Sequence, residues 1–195
     1  LAGRDTGTAF QRRNSLGLEN DGASRSLARY VKEIGERYVS GFGVEMIYRL
    51  DRFLRGGDHS PFHQAGYAAV RLSEAHENFD HQHQDVRIEN GREFGDLPKF
   101  VNFAYCANVA RVNAAALASL ARAPGPPSHA AILTSQLEYT TQLTWKPNLD
   151  QQLAGYMVRW RKTSAATWES SSLTADTSIV LKVSKDDYLF GVQSV

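Results

Sequence analysis

Read for apolar and polar positions alone, the chain changes grammar once. From Ser24, SRSLARYVKEIGERYV places Leu27, Val31, Ile34 and Tyr38 three or four residues apart, the spacing that lines one face of an α-helix. GVEMIYRL then alternates Val44, Met46, Tyr48 and Leu50 with other residues, the two-residue period of a strand. GYAAVRLSE predicts a second short strand from Tyr67 to Leu72. LPKFVNFAYCANVARVNAAALASLARA returns to helical spacing. It predicts one long helix with Pro98 in its first turn and Phe100, Phe103, Ala107, Leu117 and Leu120 on its inner side. Helix, strand, loop, strand and helix in this order imply part of an α/β layered domain.

ARAPGPPSH then packs three of the six prolines into Pro124 to Pro127. Proline cannot continue a helix and stiffens a connector, so residues 123–129 are expected to link a first domain, 1–122, to a second, 130–195. Beyond the prolines only strand patterns occur. YTTQLTWKP, AGYMVRWRKT, ATWESSS, TSIVLKV and YLFGVQSV are short alternating segments parted by turn residues, which predicts an antiparallel β-sandwich.

Composition narrows the function classes. The 195 residues are 42% hydrophobic and 22% charged, an ordinary globular balance. No apolar run approaches the roughly 18 residues that a membrane span needs. The 22 basic and 21 acidic residues leave a formal charge of +1 with neither sign gathered into a block, which argues against a nucleic-acid backbone as partner. Cys106, the single cysteine, cannot form an internal disulfide and is expected to be a small buried filler within the long helix. The chain starts LAGRDTG, without the charged and apolar regions of a signal peptide.

The chemistry gathers in ENFDHQHQDV, residues 77 to 86. On an extended chain residues two apart share a face, so His81 and His83 could both meet one ion, with Asp80 and Asp85 as further ligands or orienting groups. A zinc ion takes such nitrogen and oxygen donors. The other reading is a solvated polar loop, and spacing alone leaves both open. A mononuclear site drawing also on Glu74 and Glu77 is a third reading, short of the rigid elements that fix coordination geometry. HENFDH, His76 to His81, is one residue too long for the helical zinc-protease motif, so its two imidazoles do not share a helical face. No Gly-x-Ser-x-Gly elbow, phosphate-cradling glycine loop or Cys-x-x-Cys pair is present, which leaves serine-triad hydrolysis and phosphoryl transfer without support. Upstream, Gly56 and Gly57 permit a tight turn that sets Asp58 and His59 at its edge. Asp58 reads equally as a cap for a short helix beginning near Ser60.

Taken together, D58-H59-S60-P61-F62, G66, E74 and H81-Q82-H83-Q84-D85 resemble the co-catalytic di-zinc exopeptidases, the bacterial leucyl aminopeptidase type with glutamate carboxypeptidase and glutaminyl cyclase as relatives. The resemblance covers roughly residues 20 to 122 and implies a partial three-layer αβα domain. It also implies a bacterial protein working outside the cytoplasm, secreted or periplasmic, on peptide substrates. By position in the His-x-x-x-Asp motif, His81 would be the last zinc ligand, with His83 the alternative. Asp85 would orient the loop, and Asp58 with His59 would stand at the active-site wall. The family usually has His-Thr where this chain has His81-Gln82. The resemblance further implies two zinc ions, a bridging Asp, a Glu-Glu pair whose first member is the general base, a further Asp and a first His. Residues 1 to 20 contain none of these combinations, so the general base and the other ligands are expected upstream.

WKPNLDQQLAGYMVRWRKT, the following TW and the closing YLFGVQSV resemble a fibronectin type III domain. Trp145 would be its buried tryptophan, with Tyr156, Val158 and Trp160 alternating on the next strand. Tyr188, Phe190 and Val192 would form the strand that opens with the tyrosine corner. A seventh strand is expected after Val195. The resemblance implies a spacer or an adhesive surface with no ligand that can be named. The expectation is therefore the C-terminal part of a zinc aminopeptidase with a β-sandwich appendage, inactive by itself. The alternatives are a noncatalytic interaction protein on a degenerate peptidase scaffold and the mononuclear metal-binding protein.

Overall fold

A computed structural model describes residues 22–47, 56–135 and 137–195. The chain is mixed α and β with antiparallel sheets, and it divides between Ala118 and Ser119 into two compact units.

In the first unit, helix α1 (Ala23–Tyr38) buries Val31, Ile34 and Gly35. Their partners are Val112 and Ala116 of helix α3 (Phe103–Arg122). A β-carbon on Gly35 would lie 3.0 Å from Val112 Cγ1 and 3.1 Å from Val44 Cγ2, so the missing side chain is what lets these elements approach. This contact corrects two faces. Tyr38, expected inside, is 65% exposed, because Val39 just past the helix end takes the core position. In α3, Phe103 and Leu117 are 68% and 66% exposed and Leu120 is also exposed, since each residue turns about 100° from the last and Val112 with Ala116 face inward. Cys106 is exposed rather than buried, on the outer side of the same helix.

The long helix also starts later than its pattern predicts. Pro98–Phe100 is a separate 3-10 turn, followed by extended Val101. The side-chain oxygen of Asn102 then accepts the N–H of Tyr105 at 3.0 Å and caps α3.

Among the described residues, neither predicted strand of this unit is paired into a sheet. Phe42, Val44 and Met46 are half-buried between exposed neighbours, the expected alternation, while 48–50 lie outside the described residues. The backbone of Val44 is served by side chains of α1 instead: Lys32 donates to its carbonyl at 2.7 Å, and Glu36 accepts its N–H at 3.1 Å. Lys32 also donates to Glu36 at 2.6 Å. That hydrogen bond, then the N–H of Val44, holds the Glu36 carboxyl below its usual range against a smaller opposing effect of burial. Residues 67–72 form no strand. Among the described residues the first unit's sheet is a hairpin that the pattern missed, β1 (Arg87–Glu89) and β2 (Arg92–Phe94), turned by Asn90 and Gly91 at φ 51° and 77°. Both angles are positive, as a two-residue type I′ turn requires. The three-layer arrangement is thus not assembled from these residues alone.

The second unit has two three-stranded antiparallel sheets sharing one core. The first runs β3 (Ser128–Ile132), β4 (Thr141–Lys146), β7 (Ser178–Leu181), and the second β6 (Ser170–Thr174), β5 (Tyr156–Lys162), β8 (Tyr188–Ser194). Leu143, Trp145 and Leu181 meet Tyr156 and Val158 between them, with Trp160, Phe190 and Val192 at the margins. All five predicted strands are present. The sixth, β3, begins inside the segment expected as linker, with a register shift between Ser128 and Ala131. Trp145 is buried and stands edge-on to Tyr156 at 5.3 Å. In this unit the described tyrosine hydroxyl that returns to the backbone is not that of Tyr188 but that of Tyr156, which accepts the N–H of Asn148 at 2.8 Å. No helix among the described residues is long and apolar enough to cross a membrane.

Candidate functional site

The histidine loop is built from local capping and then tied to the hairpin. Asn78 accepts the N–H of Asp80 on its side chain at 3.0 Å and the N–H of His81 on its carbonyl at 3.2 Å, closing a single 3-10 turn over Phe79–His81. The Asp80 carbonyl accepts the N–H of Gly95 at 2.9 Å, and its carboxylate pairs with Arg92 of β2. Gly95 is buried at φ 116°, and a β-carbon there would fall 2.8 Å from both Cα and Cγ2 of Val86, so only glycine fits the closure. Asp96 accepts the N–H of His83 with both carboxylate oxygens, at 3.1 and 3.3 Å.

His81 is half-buried, and its imidazole lies flat on Phe100, ring centroids 3.5 Å apart and planes 6° apart. Among the described residues neither ring nitrogen of His81 is engaged in a hydrogen bond. His83 is exposed with a left-handed backbone at φ 54°. Residues 81 to 83 are therefore not one extended stretch, and the alternation argument for a shared face does not apply to them. Asp85 is exposed, and its contact runs through its carbonyl, which accepts from Arg87 at 3.3 Å. Its carboxylate orients nothing among the described residues; Asp80 and Asp96 hold the loop instead.

Asp58 immediately precedes helix α2 (His59–Gln64), is exposed, and makes no side-chain cap. His59 is half-buried with Nδ1 enclosed, 3.0 Å from where a β-carbon on Gly57 would sit. Ser24 Oγ lies 3.1 Å from His63 Nδ1 and accepts the N–H of Ala69 at 3.1 Å, fastening α2 and the following segment to α1. No hydrogen bond, ion pair or ring contact joins Asp58 or His59 to His81 or His83 among the described residues. The two motif segments are linked by Arg71. It donates to the carbonyl of Gly56 at 3.1 Å and pairs at 3.6 Å with Glu77, whose side chain is 8% exposed.

Among the described residues no three His, Cys, Asp or Glu side chains converge to hold a metal ion, so the mononuclear arrangement is not formed by them. His81 suits a metal in one respect: a half-buried imidazole with unengaged nitrogens and an immobilised ring. One donor does not make a site. Of the residues that shape this loop, Asp80 was expected only as a ligand or orienting group and Phe100 only as a helix core residue, while Arg92, Gly95 and Asp96 were missed because each acts across a gap of many residues.

No protein-family profile matches the chain. It is 47% identical over 192 residues to a protein of Leptosphaeria maculans named a probable zinc metalloprotease, covering 98% of this chain and 44% of that protein. Proteins of Pyrenophora teres f. teres and Pyrenophora tritici-repentis, named likewise, are 45% and 43% identical over 184 and 196 residues. They cover 94% and 100% of this chain and 38% and 40% of their own length. The chain thus spans less than half of the curated relatives it matches. All three are fungal, which corrects the bacterial source that the aminopeptidase resemblance suggested.

Proposed function

We propose that this chain is part of a zinc-dependent peptidase and contributes His81 as a ligand to its metal centre. The observation that carries the reading is the His81 loop itself. The motif residue expected to bind metal is the one whose ring is half-buried, fixed against Phe100 and left with its nitrogens unengaged. Similarity along nearly the whole chain to proteins named zinc metalloproteases supports the same conclusion.

The finer reading is an aminopeptidase-type enzyme with two zinc ions, its remaining ligands and general base supplied by parts of the protein outside these residues. Zinc, when bound, lowers the pKa of water and polarises the scissile carbonyl. This chain's part is positional. The 3-10 turn ending at His81 sets the backbone, Asp80 and Asp96 pin the loop to the hairpin, and Arg71 keeps the Asp58 segment in register with it. By itself the chain is catalytically inert in this reading. The strand orders β3-β4-β7 and β6-β5-β8 support a fibronectin type III-like second unit, a spacer or adhesive surface, and the resemblance alone supports work outside the cytoplasm.

The test is hydrolysis of an N-terminal leucyl anilide by the 195-residue chain and by the longer protein. The longer protein should show chelator-sensitive turnover that His81→Ala lowers at least about 100-fold, and the chain alone should show none. Chelator-sensitive turnover by the chain alone would refute the shared-site reading.

A further inference from the structure

Resting on the peptidase reading and deepening it, we propose that Phe100 is a positioning residue for His81, fixing the plane in which its nitrogens are presented to the metal.

The geometry is that of a face-to-face stack, 3.5 Å between centroids with 6° between planes. Rotation of the imidazole about Cβ–Cγ would drive its edge into the phenyl face, so only the stacked orientation and its flip are open. Both nitrogens then lie in a plane parallel to the phenyl ring, and the lone pair of the unprotonated one points edgewise, past Phe100 and not through it. An imidazole that donates to a cation gains positive character, which the negative face of an aromatic ring favours. Most ligating histidines are oriented by a hydrogen bond from the second nitrogen. Here that bond is missing among the described residues, and the stack stands in its place.

Phe100 is itself anchored to the loop it supports. The N–H of Gly95 binds Asp80, the residue before His81; the N–H of Leu97 binds the carbonyl of Gly95, and the N–H of Phe100 binds the carbonyl of Leu97, each of the last two at 3.0 Å. Pro98 at the start of this turn fixes its φ. Lys99 lies 5.0 Å over the same phenyl ring and is neutralised by Glu93 at 2.5 Å, so its charge is balanced beside the stack. The run from Gly95 to Phe100 therefore returns to the histidine loop twice, once through backbone at Asp80 and once through the ring at His81.

Two variants separate orientation from bulk: Phe100→Leu keeps an apolar side chain without a π face, and Phe100→Trp keeps the face. In the metal-free 195-residue chain, the His81 ring protons should be shifted upfield by ring current, lose that shift in F100L and retain it in F100W. In the longer protein, F100L should weaken zinc binding about 10–100-fold, as loss of an orienting partner does. At saturating zinc its KM should be unchanged, and F100W should restore zinc affinity. An unshifted His81 ring in the wild type, or unchanged zinc affinity in F100L while His81→Ala loses it, would overturn the positioning role and leave the peptidase reading intact. Zinc affinity unaffected by His81→Ala would overturn both. Equal loss in F100L and F100W, with the His83 amide also deprotected, would reduce Phe100 to a packing residue and overturn the proposal.

Discussion

Asp96 holds the backbone N–H of His83 between its two carboxylate oxygens, at 3.1 and 3.3 Å, across a gap of 13 residues. A left-handed, exposed histidine is thereby given a fixed backbone, and the loop that carries His81 cannot open without releasing this bond. Asp96→Ala should cost about 0.5–1.5 kcal/mol locally, read as a roughly two- to tenfold faster hydrogen exchange at the His83 amide, with Asp96→Asn showing a smaller effect. Unchanged exchange would mean that the loop is held elsewhere.

Gly95 closes the same loop from the other side. Alanine there would face both the strain of φ 116° and a β-carbon 2.8 Å from the Val86 backbone. The expected loss is about 1–3 kcal/mol, measured by urea unfolding and accompanied by lost protection of the Gly95 amide.

In the helical core, Gly35→Ala places a methyl against Val112 and Val44 at 3.0–3.3 Å. Crowding of a fully buried valine costs about 1–3 kcal/mol and outweighs the roughly 1 kcal/mol that alanine gains in a helix. A net loss on the order of 1 kcal/mol is predicted from these terms. Val112→Ala in the same molecule should recover part of it, which a double-mutant cycle in denaturant would show.

Acid should loosen the clasp of Lys32 and Glu36 on Val44. The Glu36 carboxyl is held low first by the Lys32 hydrogen bond and then by the Val44 N–H. Its contribution to stability is therefore complete above the unfolded pKa and disappears as pH falls through the lower folded value. The gap in urea midpoint between the wild type and Glu36→Gln should be present at neutral pH and close in acid. A gap that widened in acid would contradict the sign.

What could be read from residue order was largely local. The five strands from Thr141 onward follow from alternation, and α1 follows from the spacing of Leu27, Val31 and Ile34. Two misses were legible: Asn90-Gly91 is a strong hairpin signal, and Asn102 is a good helix cap just where the apolar pattern of α3 begins. Strand β3 was hidden by prolines that lead directly into it. Among the described residues, the segments predicted as strands around Val44 and Val70 join no sheet, because pairing depends on a neighbouring strand that periodicity does not supply. At the candidate site, motif order makes His81 the expected ligand and spacing brings in Asp80 as a possible orienting group, whereas the Phe100 stack and the Arg92 and His83 contacts of Asp80 and Asp96 are tertiary and have no local signature. The same limit explains α3, whose two apolar faces are distinguishable only once Gly35 has selected Val112.

The most direct measurement is anomalous diffraction at the zinc edge from crystals of the longer protein. A zinc peak is expected about 2.0–2.1 Å from a ring nitrogen of His81, with the imidazole still lying on Phe100. A zinc centre that excludes His81, or a His81 ring turned to solvent while zinc sits elsewhere, would contradict it.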